Sequence, residues 1–184
     1  MRIVGGAFGG RRLEAPSGRD IRPTSDKVRG SIFNALAARA AIDGAVVLDG
    51  FCGSGALGLE ALSRGAARCV FIDSSRRSLD LAKRNAESLG VLDRCSFVLG
   101  DCAKPGVLTG LEGAFDLALF DPPYGKGLAN AVLNVLPEAG ILLPQAVIVV
   151  EEDKIFEPDL RGSFSVQNRK TYGDTQVLFL DYAA

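Results

Sequence analysis

The chain has no histidine among its 184 residues. That absence removes every mechanism that relies on an imidazole base and most protein zinc sites. The four cysteines, Cys52, Cys69, Cys95 and Cys102, show no C-x-x-C spacing, so no metal site is expected and they read as reduced, small, buried hydrophobes. No apolar run approaches the ~18 residues that would span a bilayer. Nor does a charged-then-apolar leader open the chain, because Arg2 is followed by Ile3-Val4-Gly5-Gly6; a cytoplasmic protein with no membrane partner is expected. Neither sign of charge dominates, the net charge being −1. The balance is uneven, however: residues 1–30 hold seven Lys/Arg against three Asp/Glu, which leaves the remainder acidic. A basic end on an acidic body predicts that the amino-terminal part meets a polyanion.

What is present fits one domain with a sizeable core, 47% of residues being apolar and 23% charged. Two Gly pairs separate short apolar pieces in residues 1–23, which predicts a β-hairpin with Ile3-Val4 and Arg12-Leu13 as arms, docked on the body or on a ligand. Thr24 is the expected cap of a helix whose stripe is Val28, Ile32, Ala35 and Leu36, with Lys27 and Arg29 on its polar side. From Ala45 strands and helices alternate. Strands are expected at Val46–Leu48, Arg68–Ile72, Ser96–Leu99, Phe115–Phe120 and Ala146–Glu151. Helices are expected at Ala56–Arg64, Ser74–Leu89 and Leu128–Leu136, with a short one around Ala103–Thr109. This alternation implies an α/β fold with a parallel sheet and helices on both faces. Ser163–Lys170 and Thr175–Tyr182 around Tyr172-Gly173-Asp174 then read as a closing antiparallel hairpin.

Two stretches carry chemistry. After the first strand comes Asp49-Gly50-Phe51-Cys52-Gly53-Ser54-Gly55-Ala56-Leu57-Gly58, a glycine loop that brings backbone N–H groups to a ligand at a helix start. Gly53, Gly55 and Gly58 fit G-x-G-x-x-G, with Asp73 at the end of the second strand at the spacing of a ribose-binding acid. That fingerprint suits NAD or another adenosine cofactor. After the fourth strand comes Asp121-Pro122-Pro123-Tyr124, where prolines stiffen a turn that presents a carboxylate, a carbonyl and a ring. Four strands end in Asp: Asp49, Asp73, Asp101 and Asp121. S-adenosylmethionine, with its ammonium, diol, exocyclic amine and sulfonium, suits that row better than NAD. An oxidoreductase leaves Asp121–Tyr124 unexplained, and a cofactor-free RNA-binding module leaves the acidic strand ends without a use.

With both stretches in hand, the chain resembles the RsmD-type family of class I S-adenosylmethionine-dependent methyltransferases. The likeness extends through Arg2-Ile3-Val4-Gly5-Gly6, Arg11-Arg12-Leu13, Arg22–Arg29 with Phe33-Asn34, and Gly53–Ala61. The resemblance implies a Rossmann-like, mostly parallel seven-stranded sheet with an antiparallel carboxyl-terminal hairpin. It implies methyl transfer to the exocyclic N2 of a guanine in bacterial 16S ribosomal RNA, free or in the assembled small subunit, by a monomer. Other amino-group methyltransferases, acting on DNA or transfer RNA, share Asp-Pro-Pro-Tyr, and protein-glutamine enzymes usually carry Asn in place of Asp121. Asp121, Pro122 and Tyr124 would be catalytic. Asp49, Phe51, Gly53, Gly55, Asp73, Ser74, Asp101 and Cys102 would bind the cofactor. Arg11, Arg12, Arg22, Thr24, Lys27, Arg29 and Pro123 would meet RNA, with Thr24 and Arg29 alternatively reaching the cofactor's carboxylate. The domain division expected is an RNA-contacting hairpin over 1–23 and one catalytic domain over 24–184. Gly30 and Cys52 depart from the family pattern.

Overall fold

The computed structural model describes residues 1–16, 25–160 and 163–183. The described residues form the strands β1 (Val46–Gly50), β2 (Arg68–Asp73), β3 (Cys95–Leu99), β4 (Phe115–Phe120), β5 (Leu142–Asp153), β6 (Phe164–Tyr172) and β7 (Thr175–Tyr182), most of them built on apolar runs, with β6 polar and largely exposed. They form one sheet in the order β3-β2-β1-β4-β5-β7-β6. The first five are parallel, and β7 lies antiparallel between β5 and β6.

Helices α1 (Asp26–Ala38), α2 (Ala56–Ser63), α3 (Arg76–Leu89), α4 (Pro105–Leu108) and α5 (Leu128–Ala139) cover both faces. Side chains alternate along a strand, so β4 sends Leu117 and Leu119 into the core beneath α1, α2 and α3, and Ala118 and Phe120 into the core beneath α4 and α5. None of the described helices is long and apolar enough to cross a membrane.

Several boundaries differ from the sequence reading by one or two residues, and three differences have a physical cause. The cap of α1 is Ser25, whose Oγ accepts from the Val28 N–H at 3.2 Å; Thr24 and Arg22 lie outside the described residues. β5 begins four residues before Ala146 because Gln145, at φ 67°, takes up an irregularity in the pairing with β4 and the strand continues on its far side. α5 passes through Pro137 and ends at Gly140, φ 65°, since a proline in the last turn costs a helix less than one at its centre.

The amino-terminal hairpin exists in a reduced form. Arg2 bridges Arg12, Ile3 N–H donates to the Arg11 carbonyl at 2.9 Å, and a 3-10 turn over Gly6–Phe8 joins the arms. Alone it would be marginal; it is docked on the body through buried Ile3 and Leu13 and through α2. Glu60, 0% exposed, accepts from Val4 N–H at 2.7 Å and Gly5 N–H at 2.9 Å. The same carboxylate pairs with Arg64 at 2.7 Å and Arg29 at 3.6 Å.

Arg29 is therefore a correction. Expected on RNA or on a cofactor, it is 0% exposed and its guanidinium is used internally, on Asp26 at 2.7 Å, on Glu60 and on the Arg2 carbonyl. Lys27, Arg11 and Arg12 are exposed, as expected, and Arg11 reaches the Ser88 carbonyl on α3.

Candidate active site

Sheet order reverses between β1 and β4, and in an open α/β sheet ligands bind outside the carboxyl ends of the strands at such a point. A cleft of about 1010 Å³ opens there, large enough for a nucleotide-sized ligand with space beside it. The cofactor-binding candidates Asp49, Phe51, Gly53, Asp73, Ser74 and Asp101 line it, as do Asp121, Pro122, Pro123 and Tyr124.

The glycine loop is fastened by the strand-end carboxylates. Asp49 Oδ2 accepts the Gly58 N–H at 2.8 Å, which ties β1 to the first turn of α2. Asp73 accepts from Gly53 N–H at 2.9 Å through one oxygen and from Ser75 N–H at 2.8 Å through the other. Each carboxylate oxygen keeps a further lone pair for a ligand. Asp101 accepts the Ala103 N–H at 3.0 Å.

Asp49 is 1% exposed, and burial, with the charge of Asp73 adding to it, pushes its carboxyl up to about 8. A buried carboxylate of this kind favours a cationic partner.

Glycine serves two purposes in the loop. Gly53, at φ 54°, has only its own loop near the position of a Cβ, whereas a Cβ on Gly58 would lie 2.5 Å from both Cys69 Sγ and Phe71 Cε1. The first leaves the cleft open and the second lets α2 press on β2. Gly55, at φ 77°, starts α2 and packs against Ala82. Phe51 holds the left-handed region at φ 58° without being glycine, a strain of about 1–3 kcal/mol, with its ring edge-on to Phe120 at 6.4 Å.

Gly55 and Cys102 do not line the cleft themselves. Cys102 is buried with its sulfur beneath Gly50, and burial pushes its thiol up to about 12.

After β4 the half-buried Tyr124 donates its hydroxyl to Glu151 Oε1 at 2.8 Å, with Thr175 Oγ1 at 3.2 Å. Burial, then the carboxylates of Asp121 and Glu151, hold its phenol well above the usual range, so it stays protonated.

Sequence reasoning missed the residues that the hairpin adds to the cleft, Met1 and 14–16. Asn85 on α3 fixes Glu14 among them, donating to Glu14 O at 3.1 Å and Ser54 O at 2.9 Å while accepting from Glu14 N–H at 2.8 Å. It missed the basic residues Arg77, Arg84 and Lys126 on the lining too.

A family model described as "Conserved hypothetical protein 95" matches residues 1–181. The chain is 34% identical to Ribosomal RNA small subunit methyltransferase D of Escherichia coli over 174 residues, 94% of this chain and 85% of that protein. The chain belongs to this family, the RsmD-type methyltransferases. It is also 36% identical to YlbH of Bacillus subtilis over 183 residues, 96% of each chain. The solved structure of yhhF from Escherichia coli superposes at TM-score 0.87 and 33% identity, covering 100% of this chain and 98% of that one. Membership sets aside the nicotinamide oxidoreductase that the glycine fingerprint alone allowed.

Proposed function

We propose that the protein transfers a methyl group from S-adenosylmethionine to the exocyclic N2 of a guanine in small-subunit ribosomal RNA, in the cytoplasm and as a monomer. The observation that carries the reading is the meeting of Asp121-Pro122-Pro123-Tyr124 with three acidic strand ends in one cleft at the β1/β4 switch point.

The donor set fits this cofactor. Asp49 would hold the ammonium, Asp73 the ribose diol and Asp101 the adenine amine, all three lining the cleft, while the opening at Gly53 admits close approach of the backbone. The bound cofactor supplies an electrophilic methyl on a sulfonium. Everything else falls to the chain. Guanine N2 is a poor nucleophile because its lone pair is delocalised into the ring. Asp121 and the Pro122 carbonyl each accept one of its N–H bonds and turn the remaining lone-pair density toward the methyl. A charge-assisted bond of this kind contributes about 1.5–3 kcal/mol, and its larger effect is orientation. Asp121 takes the proton only as transfer makes N2 strongly acidic, since a carboxylate is a weak base. Tyr124 stacks on the base, worth about 1–3 kcal/mol, which offsets the few kcal/mol of extrusion. Exposed Arg11, Arg12 and Lys27 hold phosphates.

The test is methyl transfer from radiolabelled S-adenosylmethionine to small subunits, and to RNA purified from them, both taken from cells lacking the enzyme, followed by nucleoside analysis. Label in N2-methylguanosine that Asp121→Ala abolishes, with cofactor binding retained, is the expected result. No label in either substrate, with cofactor bound, would redirect the search to DNA or transfer RNA.

A further inference from the structure

The ring that is to stack on the base is held by two side chains that the reaction does not otherwise use. Glu151 is 4% exposed and Thr175 7% exposed, on the neighbouring antiparallel strands β5 and β7. Both reach the Tyr124 hydroxyl, Glu151 Oε1 as acceptor at 2.8 Å and Thr175 Oγ1 at 3.2 Å. The adjacent Glu152, also buried, accepts from the Gly125 N–H at 3.1 Å, so two consecutive carboxylates at the end of β5 grip the turn that carries the ring. Burying a carboxylate costs several kcal/mol, and apolar residues would fill a sheet end at less cost. A tyrosine held only at its Cβ turns about two side-chain bonds, and a bond at the far end of the ring removes that freedom. The arrangement is suited to fixing a plane.

We propose that Glu151, with Thr175, is a positioning residue for methyl transfer, setting the plane of the Tyr124 ring against which the acceptor base is stacked. The inference rests on the function proposed above. A tilted ring leaves N2 off the line to the methyl, so the loss falls on turnover more than on cofactor affinity.

The experiment compares Glu151→Leu, Glu151→Gln, Tyr124→Phe and the double variant Tyr124→Phe/Glu151→Leu. Each is measured for kcat and KM with ribosomal RNA, for Kd of S-adenosylhomocysteine and for Tm. Glu151→Leu lowers kcat about tenfold, the scale of one lost bond to a charged group, with Kd for the cofactor product unchanged. Glu151→Gln keeps an acceptor and stays within about threefold of wild type, since a neutral acceptor recovers most of such a bond. The double variant loses no more than the worse single variant, because both remove the same bond. Thr175→Val, nearly isosteric, lowers kcat in the same direction and supplies the result if Glu151→Leu fails to fold. Wild-type kcat in Glu151→Leu or, failing that, in Thr175→Val overturns the positioning role, as do losses that multiply in the double variant. Wild-type protein that labels neither subunits nor RNA overturns the proposed function, and the positioning role with it. Labelled wild-type product with unaffected variants overturns the positioning role alone.

Discussion

Replacing Glu60 by Gln tests how the amino-terminal hairpin is held. Glu60 is enclosed and accepts two hairpin N–H groups while facing Arg64 and the equally enclosed Arg29. Glutamine preserves the shape but turns an NH₂ group toward donors and removes the charge opposite Arg29. Breaking a buried ion pair from one side costs about 3–5 kcal/mol. The lower end applies to that part, because Arg29 keeps Asp26 at 2.7 Å. One hairpin N–H left without an acceptor adds about 1 kcal/mol, for a total near 4 kcal/mol. For a domain of this size 1 kcal/mol moves Tm by about 2–4 °C, so Glu60→Gln should melt about 8–16 °C below wild type. Amide exchange at Val4 and Gly5 should accelerate well beyond that of β4. Adding Arg29→Met should cost less than the sum of the two single losses, since both variants act on the same pair. A fall in Tm of less than about 3 °C would refute the account, as the smallest value it allows is more than twice that.

Three further outcomes are expected. The Asp49 carboxyl stands at about 8 in the folded protein against 3.8 as its ordinary value. Between those values the folded state holds a proton that the unfolded chain has lost, so this contribution to stability is present at low pH and disappears as pH rises through the folded value. Wild-type Tm should therefore fall relative to Asp49→Asn from about pH 4 to about pH 8 and level off above that, and a constant difference would contradict the burial argument. Gly58→Ala should cost about 1–3 kcal/mol by overpacking, read as a lower urea midpoint; an unchanged midpoint would mean that α2 can lift from β2 freely. Burial raises all four thiols, Cys95 and Cys102 to about 12 and Cys52 and Cys69 further. Native protein at pH 8 should thus react slowly with a disulfide reagent and quickly once unfolded, and a fast native thiol would contradict it.

Most of the sheet was legible because its strands are short apolar runs closed by Gly, Pro or Asp, which leave few alternative readings. The four strand-end aspartates converge for the same reason: each follows a parallel strand, and parallel strands finish at one edge. Arg29 was misread because it shares a turn with the solvated Lys27. A signal existed in Gly58-Leu59-Glu60-Ala61-Leu62, where one acid inside an apolar helix calls for a buried cation. The grip of Glu151 and Glu152 on the turn was not legible, since two acids after Ile148-Val149-Val150 read as an ordinary polar strand end. Nor was the hairpin's share of the cleft, which depends on Asn85, about seventy residues away in the chain.

The position of β7 also governs how the chain is assembled during synthesis. It is the last of the seven described strands in chain order, yet it fills the place between β5 and β6. Until Thr175–Tyr182 leaves the ribosome, β5 carries the run Val147–Val150, buried in the finished sheet, beside an open edge. Unpaired apolar edges of this sort are where nascent chains join one another. The two-residue turn Gly173-Asp174 lets β7 close on β6 through local contacts, which form fast. The interval of exposure is then set by the rate of translation more than by the search for the right partner.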